Sequence, residues 1–220
     1  MNDTRIMEAT YYDEDYFSLQ NEIGLLSAKA MRHMFAPYIP NDAKLLDFGS
    51  GGGYFLNVLQ AREKIGVEIN PTARANASKL GIQSVASCKD VADNWADVVM
   101  TSHALEHCHD PLGVLRDLYQ KLRPGGRLIA LVPHERKMPY RPKDVNQHLF
   151  TWSEMNIANL IATAGYEVEK AEEIKHRFPP FSSYLMKVLG ERGFHLLASI
   201  YGRIDRRVTQ IRVTAIRPKA

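Results

Sequence analysis

The residues with the clearest chemical meaning stand together at Asp47-Phe48-Gly49-Ser50-Gly51-Gly52-Gly53. An apolar run enters glycines at 49, 51 and 53, with an acid two residues before the first. Glycines let the backbone take left-handed angles and come within contact distance of a ligand. A helix that follows such a loop offers its first amides to that ligand. Glu68, nineteen residues past Gly49, ends the next apolar run, where a carboxylate can hold both hydroxyls of a ribose. The set points to a nucleoside. It does not have the G-x-G-x-x-G spacing that cradles a nicotinamide pyrophosphate. A second concentration of chemistry is His103, Glu106, His107 and His109, with His134 and His148 further along. Histidine exchanges protons near neutral pH. A hydroxyl that attacks an electrophile must lose its proton to such a side chain or to a metal.

These residues need a scaffold that gathers distant loops at one edge. From residue 43 onward, short apolar runs alternate with amphipathic stretches. The pattern predicts strands at Lys44–Phe48, Lys64–Ile69, Ile82–Ala86, Ala96–Ser102 and Arg127–Pro133, with helices at Tyr54–Arg62, Pro71–Leu80 and Pro111–Leu122. Asn70-Pro71 and Asp110-Pro111 place a capping side chain before a proline at the first helical position. Thr151-Trp152-Ser153-Glu154 reads as a capping box for a helix that stops near Gly165. A strand is expected over Tyr166–Ile174 and a last one over Val208–Ile216. Such alternation predicts an α/β fold: a parallel sheet with helices on both faces. The histidines then fall at the carboxyl end of the fourth strand, where open α/β sheets place their ligands. The single domain divides into an N-terminal helical cap (1–42), a nucleoside-binding core (43–174), a basic apolar helical insert (175–207) and a last strand with its tail (208–220).

The segment Asp47-x-Gly49-x-Gly51-x-Gly53 resembles the first motif of class I S-adenosylmethionine-dependent methyltransferases. Asp97-Val98-Val99, Leu105-Glu106-His107 and Asp110-Pro111 resemble a segment of the small-molecule members, which include ubiquinone-biosynthesis O-methyltransferases and enzymes of sugar and surface-polysaccharide pathways. Leu122-Arg123-Pro124-Gly125-Gly126-Arg127-Leu128 and the stretch from His148 to Thr151 extend the likeness. The resemblance implies a Rossmann-like, mostly parallel sheet of seven strands, and an enzyme with S-adenosylmethionine as cofactor and S-adenosylhomocysteine as product. It assigns Asp47, Gly49, Ser50, Gly51 and Gly53 to the methionine part, Glu68 to the ribose, and Ile69, Ser87 and Cys88 to the adenine. Ser102 and His103 come under the sulfonium. His103, His148 and His107 are the candidate bases. In the quinone enzymes two acids and a histidine can bind a divalent metal; Glu106 and His107 match two of these, but His103 replaces the first acid. The expected chemistry is therefore metal-free. After the fourth strand there is no tetrad for methylating base amines, and no Pro-Cys pair for cytosine. The implied acceptor is a small molecule, or a small group on a carrier, methylated at oxygen. A non-catalytic cofactor-binding partner subunit and an RNA methyltransferase remain the alternatives, with nucleic acid the less favoured partner.

Composition agrees with a globular domain: 220 residues, 45% hydrophobic and 24% charged. Two cysteines and the N-terminal composition, without a leader pattern, predict a reducing, cytoplasmic setting. The net charge of +3 is uneven, because Lys175–Ala220 holds ten Lys or Arg against Glu191 and Asp205. With His134, Arg136 and Arg141 on the expected acceptor side, this asymmetry favours a phosphate- or carboxylate-bearing substrate. The insert, split by Gly190 and Gly193 into two expected helices, could cap the fold, form a homodimer interface or touch an anionic membrane peripherally. Tyr11–Tyr16 could close over the cofactor as a lid.

Overall fold

The structure, a computed structural model, describes residues 24–135, 139–140, 142, 146–205 and 208–219. These residues form a seven-stranded sheet: β1 (Lys44–Phe48), β2 (Glu63–Val67), β3 (Gln83–Val85), β4 (Ala96–Ser102), β5 (Leu122–Glu135), β6 (Glu167–Ile174) and β7 (Val208–Ile216). The strand order is β3-β2-β1-β4-β5-β7-β6. Only β7 runs antiparallel to its neighbours. Helices α1 (24–31), α2 (Tyr54–Val58), α3 (Pro71–Lys79), α4 (Pro111–Lys121), α5 (Glu154–Thr163) and α6 (Ser182–Ile204) surround it. The predicted α/β class, the last strand and the helices on both faces are all present.

Period-two alternation divides the core. Leu46, Val99, Leu128, Ala130 and Val213 face one apolar layer, with α4 and α5 packed on it. Leu45, Val98, Met100, Ile129 and Leu131 face the other, beneath Met31, Met34 and Phe35. Both faces of the central strands are therefore dry, and their sequences read as nearly continuous apolar runs.

Several boundaries move for identifiable reasons. Helix α2 ends at Val58, not Arg62, because the Lys64 ammonium takes the carbonyls of Leu56 (2.7 Å) and Leu59 (3.3 Å). A cation at that end completes the helix early. Strand β5 begins at Leu122 because Leu122 pairs with Ala96 before the register shifts. The cap of α5 is Ser153, not Thr151: Ser153 Oγ accepts the Asn156 amide, and Asn156 Oδ1 accepts that of Ser153. Glu154 instead accepts the Glu173 amide at 2.7 Å, tying α5 to β6.

The insert is two helical segments, as expected, meeting at Gly190, whose φ of 65° and ψ of 177° are not helical, while Gly193 lies within the second. Its second half docks on α1 through Ala30, Phe194 and Ala198. Gly202 allows the close crossing, since a Cβ there would sit 2.7 Å from the Lys175 backbone. The outer face keeps Phe181, Tyr184, Val188, Leu196, Ile200 and Ile204 exposed. The basic tail is partly consumed inside the fold. Arg177 pairs with Asp205 and Arg212 with Glu172, while Arg217 donates to the carbonyls of Tyr119 and Leu122. No helix among the described residues is long and apolar enough to cross a membrane.

Candidate active site

Strand order reverses direction between β1 and β4, so a crevice opens at their carboxyl ends. The glycine loop leaves β1 there, and the histidine loop leaves β4 beside it. They touch: a Cβ on Gly49 would lie 2.4 Å from that of Ala104. A groove of about 520 Å³ lined by Arg62, Glu63, Gln83 and Trp95 lies at the opposite, amino end of β2 and β3. It shares no residue with either loop.

The loop holds itself together more than the sequence implied. The amides of Gly49 and Ser50 both donate to the Val67 carbonyl (2.9 and 3.1 Å), and that of Gly53 donates to the Ser50 carbonyl. The Gly51 amide donates to Glu68 Oε2 at 2.9 Å, and the Asn70 amide to Glu68 Oε1 at 2.8 Å. Glu68 thus anchors the loop while each of its oxygens retains a lone pair. Burial raises its pKa against the pull of these amides and of Arg74. Arg74 also fixes the carbonyls of Glu68 and Ile69 at 2.7 Å each.

Asp47 is a poorly satisfied group of the loop. Its side chain is buried and Oδ1 has no partner among the described residues. Burial, then the charge of Glu68, pushes its pKa well above the carboxylate range. A buried carboxylate beside a ligand loop, with no cation of its own, fits a ligand that brings one. Ser50 Oγ is likewise buried and unpartnered. Ser87 caps a short turn, accepting the Lys89 amide and donating its own amide to Asp90. Cys88 is buried beside it.

The histidines separate into two groups. His103, with a left-handed φ of 52°, turns Nδ1 to within 3.5 Å of the fully buried Glu106. Such strain in a side chain without glycine's freedom concentrates at functional sites. His107 and His148 meet edge to face at 4.9 Å, and burial lowers the His107 pKa. The Leu149 amide, bonded to the Glu106 carbonyl at 2.9 Å, brings the two segments together. His148 Nδ1 lies 2.9 Å from Glu135 Oε2, with both side chains largely buried. The sequence offered no signal for Glu135 beyond its place after a strand. His134 turns elsewhere, to Thr209 (3.3 Å) and Glu173 (3.6 Å). Arg136, Arg141 and the Tyr11–Tyr16 stretch lie outside the described residues.

Glu106, His107 and His148 offer ligand atoms within 4.8 Å of one another. Two imidazoles and a carboxylate could hold a first-row divalent ion, which would polarise an acceptor oxygen. The third donor of that set is His148, where the sequence had suggested His103.

The sequence profile of the methyltransferase-domain family matches residues 21–171, and the chain belongs to that family. The matched domain is of the class I S-adenosylmethionine-dependent methyltransferase type. Its relatives include a ubiquinone biosynthesis O-methyltransferase of Cereibacter sphaeroides, 31% identical over 128 residues, which span 53% of this chain and 49% of that protein. The chain thus spans about half the length of the curated relatives it matches. A SAM-dependent methyltransferase from Archaeoglobus fulgidus shares the fold with a TM-score of 0.64 and 19% identity, over 93% of this chain and 100% of that one. A possible histamine N-methyltransferase from Thermotoga maritima gives 0.66 and 16%, over 94% and 98%.

Proposed function

We propose that the protein methylates an oxygen of a small acceptor that is anionic or joined to an apolar carrier, with His148 as the general base. The observation that carries the oxygen reading is the buried His148–Glu135 pair. A carboxylate on Nδ1 keeps that nitrogen protonated and leaves Nε2 to take a proton. An amine that is already neutral carries its lone pair and would not require such a pair. The relatives named ubiquinone O-methyltransferases support the same atom.

When bound, S-adenosylmethionine would supply a sulfonium methyl group that an oxygen nucleophile can take in line, the thioether of S-adenosylhomocysteine being the leaving group. Asp47 meets the ammonium of its amino-acid part, with Gly49, Ser50, Gly51 and Gly53 as the wall. Glu68 accepts the ribose hydroxyls, and Ile69, Ser87 and Cys88 border the adenine. Ser102 and His103 would hold the sulfonium side, and His107 packs edge to face against His148. As the acceptor oxygen gains the methyl group, its proton passes to His148 Nε2. Arg136 and Arg141 are the groups that would receive the anionic end of the acceptor, whereas His134, turned to Thr209 and Glu173, does not serve it. The exposed apolar face of α6 supports a carrier-linked acceptor presented at an anionic membrane surface, with a second copy of the chain as the competing use of that face.

Calorimetric titration with S-adenosylmethionine and S-adenosylhomocysteine tests the pocket. Both should bind, and Glu68→Ala should weaken them at least about tenfold, the scale of a lost hydrogen bond to a charged group. A Glu68→Ala protein that is folded and binds as well as the parent refutes the assignment. An acceptor screen with hydroxyl compounds, run with and without EDTA, tests the base. His148→Ala should lower kcat by about 10²–10⁴-fold without changing cofactor affinity. Full activity in both His148→Ala and His103→Ala would remove histidine from the chemistry, and loss of activity with EDTA would favour the Glu106 metal set.

A further inference from the structure

Three more histidines, from three separate segments and none of them assigned to the candidate active site, meet one another. His33 lies in the turn after α1, His176 just past β6, and His195 in the second half of α6. One ring nitrogen from each lies within 4.8 Å of the other two. The ring centroids are 4.2 Å apart for His33 and His195, and 5.0 Å apart for His33 and His176. We propose that these three imidazoles form a binding site for a late first-row divalent cation, with Zn²⁺ the best match, that pins the C-terminal insert to α1 and the end of β6.

The spacing argues for it. A tetrahedral zinc with Zn–N bonds of about 2.0–2.1 Å separates its ligand atoms by roughly 3.3–3.4 Å. His195 Nδ1 and His176 Nε2 are 3.4 Å apart, which matches one edge of that tetrahedron. The same separation is long for a hydrogen bond. His176 is only 3% exposed, and its other nitrogen has no partner among the described residues, so burial of this ring is poorly compensated. On His33, Nδ1 lies 3.1 Å from the Ala30 carbonyl. That contact fixes the tautomer and leaves Nε2 free, as the outer-shell carbonyls of metal-bound histidines do. The His33 ring is exposed, so it can swing by the order of 1 Å needed to complete the face.

The donor set and the surrounding charge fit too. Three neutral nitrogens without a carboxylate suit Zn²⁺, Ni²⁺ or Cu²⁺ and not Mg²⁺ or Ca²⁺. The charged groups acting on the rings are Arg32, Glu191 and Arg212. Arg32 is paired with Glu191 at 3.3 Å and Arg212 with Glu172 at 2.6 Å, so neither guanidinium presents an unbalanced charge to a bound dication. The cluster adjoins the small apolar contact of Ala30, Phe194 and Ala198, which otherwise carries the docking of the insert.

The test uses the full chain without an affinity tag, stripped with EDTA and titrated with Zn²⁺ or Co²⁺ alone. One equivalent should bind with the visible absorption of four-coordinate cobalt, and Zn²⁺ should raise the melting temperature by several degrees. Affinity should fall by at least about tenfold in His195→Ala and in His176→Ala, the scale seen for loss of even an outer-shell partner. It should persist in His148→Ala, which dismantles the other cluster. His33→Ala, made on the exposed ring, carries the test if the buried substitution does not fold. Absence of Zn²⁺ binding by the parent protein would overturn the proposal. So would binding that survives His33→Ala and His195→Ala but is lost in His148→Ala.

Discussion

Asp47→Asn should melt at a higher temperature than the parent protein without ligand, yet bind S-adenosylmethionine more weakly. The carboxylate is buried, one of its oxygens has no partner among the described residues, and Glu68 repels it. Removing an uncompensated buried charge relieves on the order of 1–3 kcal/mol. In a chain of this length that is roughly 3–10 °C of melting temperature. The proposed ammonium partner loses a charge-assisted bond worth about 1.5–3 kcal/mol, or roughly 10–100-fold in affinity. The pH dependence has a definite sign. Because the folded pKa is raised, the favourable contribution of Asp47 is complete below the unfolded carboxylate range, about pH 4, and is lost as pH rises through the folded value. The melting curves of parent and variant should therefore converge toward pH 4–5 and separate toward neutrality. A variant that is less stable at neutral pH, or that binds the cofactor unchanged, would show that Asp47 is a structural residue.

The parts of the fold legible in the sequence are those governed by neighbours along the chain. The run from Leu45 to Gly53, the proline caps at Asn70 and Asp110, and the final strand Val208–Ile216 each depend on local propensity and appear as read. The errors arise where a residue is claimed by something distant. Lys64 belongs to the next strand but ends α2, and Glu154 leaves its own helix cap for β6. The glycine loop reads as backbone that comes close to a ligand, yet Val67 and Glu68 take three of its amides. The basic C-terminal stretch looked like a surface for anions, but Arg177, Arg212 and Arg217 have partners within the fold. The same reasoning explains the histidines. The position of His103 and His107 at the end of a strand was visible from alternation alone. The pairing of His148 with Glu135, and the meeting of His33, His176 and His195, depend on chain crossings that no local spacing encodes.

Gly49 tests whether the two loops at the crevice act as one unit. Its φ of 74° carries a cost of about 1–2 kcal/mol for any residue with a Cβ. A Cβ there also falls 2.4 Å from that of Ala104, closer than side chains approach, so one backbone must move. Overpacking of this kind adds about 1–3 kcal/mol. Gly51 provides the control, because its φ of 51° is also left-handed but a Cβ there meets nothing within 4 Å. Gly51→Ala should therefore show only the conformational cost, while Gly49→Ala should lose roughly twice as much stability or more. The displaced loop is the one that carries His103, Glu106 and His107, so Gly49→Ala should depress both cofactor affinity and turnover. Thermal melts, calorimetry and initial rates on the two variants separate these effects. Equal stability losses would mean that Ala104 yields freely and that the loops move independently. A larger loss in Gly49→Ala, accompanied by altered pH dependence of turnover, would mean that the glycine beside the cofactor also sets the position of the histidines across the crevice.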